Sequence, residues 1–319
     1  MQRRSFFGSV FAGLAVSGSG ARANTVKPGD IPKRVFGKTG EKLSIIGQAG
    51  GRFPLCTFEE AKAIVRRAYE LGINYFDNAH SYWDGRSEEV FGEVLPPFRK
   101  QVFITTKSTK RKKDEAMAEL ELSLKRMKTD YVDLWQVHAI GEMEEIDTLF
   151  GPGGAMEAFE QAKRQGKARF IGFTGHHDPH VHAEMLKRYD KWDTILMPLH
   201  AADPAYLSFE KIVLPKAVER KLGIQAMKVT ANAKLLSVMS VRDCLRYALS
   251  LPIHCAAIGC TTIGQIEDDV RIAQEFRPLG EAELAALRKR AERVKGPWLE
   301  DWKRNVEQAL DQRQRYLGG

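Results

Sequence analysis

Four residues of unlike chemistry occupy one kind of place in this chain. Asp77, Lys107 and His138 each close a short apolar run: "INYFD" (73–77), "VFITTK" (102–107) and "VDLWQVH" (132–138). Tyr82 follows shortly after the first run. A free phenol titrates near pH ~10 and is a poor proton donor at neutral pH. A lysine cation beside it stabilises the phenolate and helps it release a proton. An aspartate holds the lysine charged and in place, and a histidine can orient a carbonyl oxygen or share the proton. Such a set polarises a C=O group and protonates the alkoxide that forms when hydride reaches the carbon. It offers no activated water and no evident covalent nucleophile. Taken singly, each residue has a plainer role as turn, packing or solvated surface. Their arrival together at the ends of successive runs favours the catalytic reading.

A second stretch, "GHHDPHVH" (175–182), holds four of the eight histidines. His180-x-His182 has the spacing of a metal-dependent hydrolase, which would want it at a strand end. Asp178-Pro179 instead reads as a helix N-cap and first helical position. His180 and His182 then ride the first turns of a helix, where residues two apart do not face each other. The expectation is no metal, with His180 and His182 facing solvent and His176, with His177 beside it, reaching a rim.

The elements that must position these residues alternate along the chain. Apolar runs at 43–47, 73–77, 102–107, 132–138, 168–173, 193–198, 223–228 and 254–259 are mostly followed by amphipathic segments of helical period. "TFEEAKAIVRRAYELG" shows a threonine N-cap, a glutamate three residues later and a closing glycine. Eight such units predict an α/β fold, a (β/α)8 TIM barrel whose strand ends meet at one mouth. "KRVFGKTGEKLS" reads as an N-terminal hairpin turning at Thr39-Gly40 and closing the barrel floor. Segments 281–294 and 298–316 predict a C-terminal helical extension. A doubly wound nucleotide fold would need G-x-G-x-x-G after its first strand, and "GQAGGRFP" does not supply it. Residues 24–319 therefore read as one domain.

The composition is that of an ordinary soluble protein: 319 residues, 43% hydrophobic and 28% charged, with mean hydropathy −0.35. The net charge of +8 is spread along the chain. Its densest run, "KSTKRKK" (107–113), reads as a solvated rim rather than a nucleic-acid surface. Residues 1–23 read as a signal peptide: Arg3-Arg4, a short Gly/Ser-rich apolar stretch, and a small-x-small site ending at Ala23. Arg3-Arg4 with Ser5-Phe6-Phe7 resembles a twin-arginine signal, so the expected partner is the twin-arginine export machinery and the expected destination the periplasm. The apolar stretch is too short to span a bilayer, and no stable membrane anchor is expected. The four cysteines show no metal spacing, and Cys255 reads as a buried free thiol.

With these residues in view, the chain resembles the aldo-keto reductase family over about residues 32–295. The resemblance rests on "RVFGKTGEKLSIIGQAGG", "GINYFDNAHSYWDGRSEEVFGEVL", "FITTKS", "LELSLKRMKTDYVDLWQVH" and "GKARFIGFTG". It implies a tetrad of Asp77, Tyr82, Lys107 and His138, with Tyr82 as general acid. It also implies hydride transfer between NADP(H), with NAD(H) as the competing donor, and a small carbonyl substrate. "IGCTTIGQIEDD" resembles the adenosine-phosphate motif, placing Gly259, Thr261, Gln265 and Asp269 against the cofactor. Thr174-Gly175 stands where the family commonly has Ser-Asn for the nicotinamide amide. The cation that often meets the 2′-phosphate is absent from this segment, and Lys228 is the expected substitute. Trp83, His176 and Phe53 are the expected substrate wall. The competing readings are a barrel that binds a cofactor or partner without turnover and, further off, a metal-dependent hydrolase.

Overall fold

The computed structural model describes residues 29–296 and 298–304. The export signal read in residues 1–23 and most of the segment 298–316 lie outside the described residues. Strands β1 (Lys33–Val35) and β2 (Lys42–Ser44) pair antiparallel, with Arg34 opposite Leu43. Gly40 turns the hairpin with φ +76°, a left-handed conformation that suits glycine.

Eight parallel strands follow and close a barrel: β3 (Ile46–Ala49), β4 (Tyr75–Asp77), β5 (Phe103–Ser108), β6 (Val132–Val137), β7 (Ala168–Thr174), β8 (Thr194–Pro198), β9 (Gly223–Met227) and β10 (Cys255–Ile258). β10 pairs with both β3 and β9, which completes the ring. The helices are α1 (Phe58–Glu70), α2 (Arg86–Val94), α3 (Lys113–Met127), α4 (Met143–Phe150), α5 (Ala155–Arg164), α6 (Pro179–Arg188), α7 (Phe209–Ile212), α8 (Leu214–Glu219), α9 (Val241–Ser250), α10 (Ile263–Gln274) and α11 (Glu281–Ala291). The capping box expected for α1 is present: Thr57 Oγ1 accepts from Glu60 N while Glu60 accepts from Thr57 N. Such a cap is worth about 1 kcal/mol.

Two apolar layers hold the barrel. Inside, Phe36 and Leu43 of the hairpin pack against Tyr75, Phe103 and Leu134 from the strands, so the hairpin plugs the floor. Outside, the second face of each strand packs on the helices, as where Trp135 stacks on Phe159 with ring centroids 3.8 Å apart. All four cysteines are free thiols, and Cys255 is buried in the inner layer. No helix among the described residues is long and apolar enough to cross a membrane.

The structure redraws three expected boundaries. The run 43–47 divides, Leu43 and Ser44 joining the hairpin while the barrel strand starts at Ile46. The amphipathic segment "FEKIVLPKAVERKLG" (209–223), which reads as one helix, is two short helices, the second opening at Leu214-Pro215. Residues 298–304 form turns rather than the start of a helix. Their polar groups bond across to barrel loops instead: Lys303 Nζ to Asp203 at 2.8 Å and Arg304 N to the His177 carbonyl at 2.9 Å.

Candidate active site

Asp77 is the last residue of β4, Lys107 lies near the end of β5, and His138 directly follows β6. These strands are neighbours in the ring, so three chemically different side chains reach one mouth. Lys107 is 1% exposed and Asp77 3%, and Lys107 Nζ stands 2.7 Å from Asp77 Oδ2. The same Nζ donates to the Asn78 carbonyl at 2.5 Å and lies 4.9 Å from the Tyr82 ring centroid. Tyr82 and His138 meet edge to face, 5.6 Å apart at 79°.

The loop that carries Tyr82 is clamped. Trp83, Asp84 and Gly85 all have left-handed backbones, with φ 53°, 53° and 92°. The φ of Gly85 favours glycine there, and a Cβ would also lie 2.1 Å from the Arg126 guanidinium carbon and push it aside. Arg126 in turn pairs at 3.2 Å with Glu88, which is fully buried and accepts from Thr106 at 2.5 Å. The turn is thereby tied both to α3 and to β5, the strand that carries Lys107.

The electrostatics follow from burial. Burial lowers the Lys107 pKa, but Asp77 and Tyr82 outweigh it and hold the ammonium charged. Burial raises the Tyr82 phenol, with Lys107 pulling in the opposite direction. The lysine acts as the sequence suggests, yet burial wins, and the phenol is protonated at neutral pH. Burial, then Lys107, His176 and Arg111, keep His138 well below the usual imidazole range. Behind Asp77 a hydrogen-bond chain runs into the barrel: Tyr75 Oη donates to Asp77 Oδ1 (3.2 Å), Gln225 Nε2 to Tyr75 Oη (2.6 Å) and Gln136 Nε2 to Gln225 Oε1 (3.1 Å).

The tetrad residues Asp77, Tyr82 and His138 line a cavity of about 390 Å³, together with Thr174, His176 and Lys228. Arg52, Asn232 and Gly259 line both this cavity and a groove of about 620 Å³. Thr261, Gln265, Asp269, Arg242 and Arg271 line the groove. The tetrad and the motif at 258–269 are thus ends of one continuous depression.

The model of the "Aldo/keto reductase family" matches residues 47–231, more than half of the chain. The chain belongs to the aldo/keto reductase family. An uncharacterized oxidoreductase of Bacillus subtilis is 33% identical over 149 residues, covering 43% of this chain and 45% of that one. The chain spans about half the length of the curated relatives it matches. Among solved structures, the holo form of an aldo-keto reductase from Bacillus halodurans superimposes with TM-score 0.70, covering 82% of this chain and 96% of that one, at 24% identity. An aldo/keto reductase from Klebsiella pneumoniae in complex with NADPH superimposes with TM-score 0.66, covering 81% and 94%, at 22% identity. These two likenesses show the shared fold.

Within this aldo/keto reductase, several expected site residues stand elsewhere. Phe53 is fully buried and packs on Phe91 at 6.3 Å, so it belongs to the outer core and not to a substrate wall. Trp83 packs on Phe58 and under Arg86 (4.8 Å), outside the cavity lining, because its left-handed backbone turns away from the mouth toward α1 and α2. Gly175 is buried outside the lining, where a Cβ would lie 2.3 Å from the Ile140 carbonyl. Lys228 lines the tetrad's cavity and not the groove beside Thr261, so it is not the substitute cation expected for the adenosine motif.

The four clustered histidines separate. His176 lines the cavity, and burial and Lys228 lower its pKa to about 4. His177 Nδ1 contacts the Trp302 carbonyl at 2.9 Å. His180 Nδ1 lies 3.0 Å from Asp178, the side chain that caps α6. His182 does not face solvent. It is fully buried between Phe173 and Phe209, and burial pulls it down to about 3. Among the described residues no group of three or more His, Cys, Asp or Glu is placed to hold a metal.

Three arginines were not anticipated. Arg52 lies in the turn after β3, a position that reading past each strand end would have reached. Arg271 sits two residues beyond the adenosine motif, one helical step from Asp268, which it pairs at 2.6 Å. Arg242 comes from α9 and carries no local signal in the sequence.

Proposed function

We propose that this protein reduces an aldehyde or ketone by hydride transfer from NADP(H), with Tyr82 as general acid and NAD(H) as the competing donor. The observation that carries the reading is the buried Lys107–Asp77 pair at 2.7 Å, set against the Tyr82 ring at the floor of an open cavity. The groove fits a dinucleotide. Arg52 stands at its junction with the cavity, close against Gly259, where a Cβ would lie 2.6 Å from the Arg52 side chain. Thr261 and Gln265 form a polar edge, with Gln265 Oε1 accepting from Thr261 N at 2.7 Å. Arg242 and Arg271 supply the cations for a 2′-phosphate that the motif itself lacks. The NADPH complex of the Klebsiella pneumoniae protein supports the same donor class.

A nicotinamide held beside the tetrad would supply the hydride for the carbonyl carbon. The protein's own residues handle the oxygen. Neutral His138 donates a hydrogen bond that orients the carbonyl. Tyr82 Oη gives its proton to the developing alkoxide. The Lys107 ammonium, fixed by Asp77, stabilises the phenolate left behind. Fluorescence titration with NADPH and NADH, followed by a panel of carbonyl compounds, tests the reading. Binding of neither dinucleotide would remove it.

We infer further that residues 1–23 direct export of the folded protein through the twin-arginine machinery, with cleavage after Ala23 and release into the periplasm. Arg3-Arg4 before the weakly apolar stretch supports this. A fusion to a folded reporter should lose export with Arg3→Lys/Arg4→Lys, and export that survives would sink the assignment.

A further inference from the structure

We propose that the substrate carries an anion, a carboxylate or a phosphate, and that Lys228 is its ligand in the tetrad's cavity. The inference rests on the reductase reading above and narrows its substrate.

Lys228 directly follows β9 and adopts a left-handed backbone, φ +55°, which is uncommon for a residue with a side chain. It is half-buried and lines the cavity with Tyr82, His138 and His176. Among the described residues no carboxylate lies within ion-pair distance of it. Asp301 is near enough to act on its charge, but pairs with Lys234 at 2.8 Å. Burial, Arg52 and Lys234 all disfavour its charged form. Its close neighbour is the Trp302 ring, 4.7 Å from Nζ to the centroid. A half-buried cation wants a counter-charge, and an aromatic face supplies only part of one.

The surroundings repeat the pattern. Trp302 Nε1 and His176 Nδ1 are buried with no hydrogen-bond partner among the described residues. The Trp302 indole donor beside Lys228 thus lacks an acceptor, which an anionic ligand would bring. Trp302 is also firmly placed. The next residue, Lys303, is buried against Asp203 (2.8 Å) and Glu300 (2.5 Å), and Arg304 Nε reaches buried Asp178 at 3.2 Å. The dinucleotide's diphosphate has a cation elsewhere. Arg52 lines both cavity and groove and is the cation placed for a diphosphate at the junction, whereas Lys228 lines the cavity and not the groove.

The test uses matched aldehydes with the full chain and NADPH: 4-carboxybenzaldehyde, 4-formylphenyl phosphate and the neutral methyl 4-formylbenzoate. Wild type should favour at least one anionic aldehyde by about tenfold in kcat/KM, mainly through KM, as one charge-assisted contact provides. Lys228→Met should bring that ratio to about one, and Lys228→Arg should keep most of it. The two anionic arms tell carboxylate from phosphate. Independently of turnover, calorimetric titration with benzoate and with inorganic phosphate should show one of them binding wild type and not Lys228→Met. A wild-type ratio near one, or a ratio and anion affinity unmoved by Lys228→Met, overturns the proposal. Anion binding that depends on Lys228, in a protein that turns over no aldehyde, supports the site and counts against the reductase reading alone.

Discussion

The two sides of the barrel mouth handle charge in opposite ways. On the side of β4, β5 and β6 the charges are buried against fixed partners: Lys107 on Asp77 at 2.7 Å, and Glu88 on Arg126 at 3.2 Å. On the open side, that of β9 and β10, the cations lack buried acidic partners. Lys228 faces a ring, Arg52 donates to the Asn232 amide at 3.1 Å, and Arg242 and Arg271 hold exposed acids, Glu275 and Asp268. A closed pair fixes geometry and protonation before any ligand arrives. An exposed pair contributes little and is readily exchanged for a ligand's anion. One side therefore holds its charges preset in buried pairs, and the other holds cations whose partners are readily exchanged.

The comparison breaks first at Tyr82. Tyr82→Phe should lower kcat/KM by about a thousandfold, the size expected for loss of a general acid. Dinucleotide affinity, measured by fluorescence, should move little, because the open side is untouched. A rate within tenfold of wild type would remove Tyr82 from its role. Lys107→Met should cost nearly as much rate and also destabilise the fold by about 3–5 kcal/mol, since it strands the buried Asp77 charge. Adding Asp77→Asn to that variant should recover stability in urea titrations without recovering rate. Recovery of both would mean that the pair serves only the fold.

The same division decides what was legible in the sequence. Asp77, Lys107 and His138 stand at or beside strand ends, and the strand register brings them together. The period of the apolar runs therefore located the closed side. Thr57-x-x-Glu60 and Asp178-Pro179 likewise carry their helix starts in local chemistry. The open side depends on contacts distant in sequence. Arg242 and Arg271 lie on different helices, and Lys228 meets Trp302 across 74 positions. Phe53 and His182 show the converse error. An aromatic just past a strand looks available for a ligand and an imidazole in a helix's first turns looks solvated, yet Phe53 folds back onto Phe91 and His182 packs between Phe173 and Phe209. Loop conformation, which no periodicity reports, made that difference.

Asp269 sharpens the comparison from the open side, because it is the acid there that burial has not matched with a cation. Burial raises its pKa to about 6 from 3.8, although the Cys260 thiol donates to it at 3.2 Å. A carboxyl whose folded pKa exceeds its unfolded one favours the fold at low pH. That contribution is full below about pH 3.8, is lost as pH rises toward 6, and stays lost above. The shift amounts to roughly 3 kcal/mol. Asp269→Asn should thus stabilise the protein at pH 7.5 by up to that amount and change little at pH 4, as followed by urea unfolding. Equal effects at both pH values would show that Asp269 is not held protonated by its surroundings.

The smallest effect is the most discriminating for the open side. Arg271→Ala and Arg242→Ala should each weaken NADPH by about tenfold, the scale of one charge-assisted phosphate contact. NADH lacks the 2′-phosphate, so its affinity should hardly change. The exposed pairs broken in the free protein, with Asp268 and Glu275, are worth too little to blur the comparison. Lys228→Met should leave the NADPH-to-NADH ratio where it was, because Lys228 lines the cavity and not the groove. If instead Lys228→Met moves the ratio and the arginine variants do not, the cations of the open side have been assigned to the wrong ends of the depression. The cavity would then bind the cofactor's phosphate, and the groove would be left for something else.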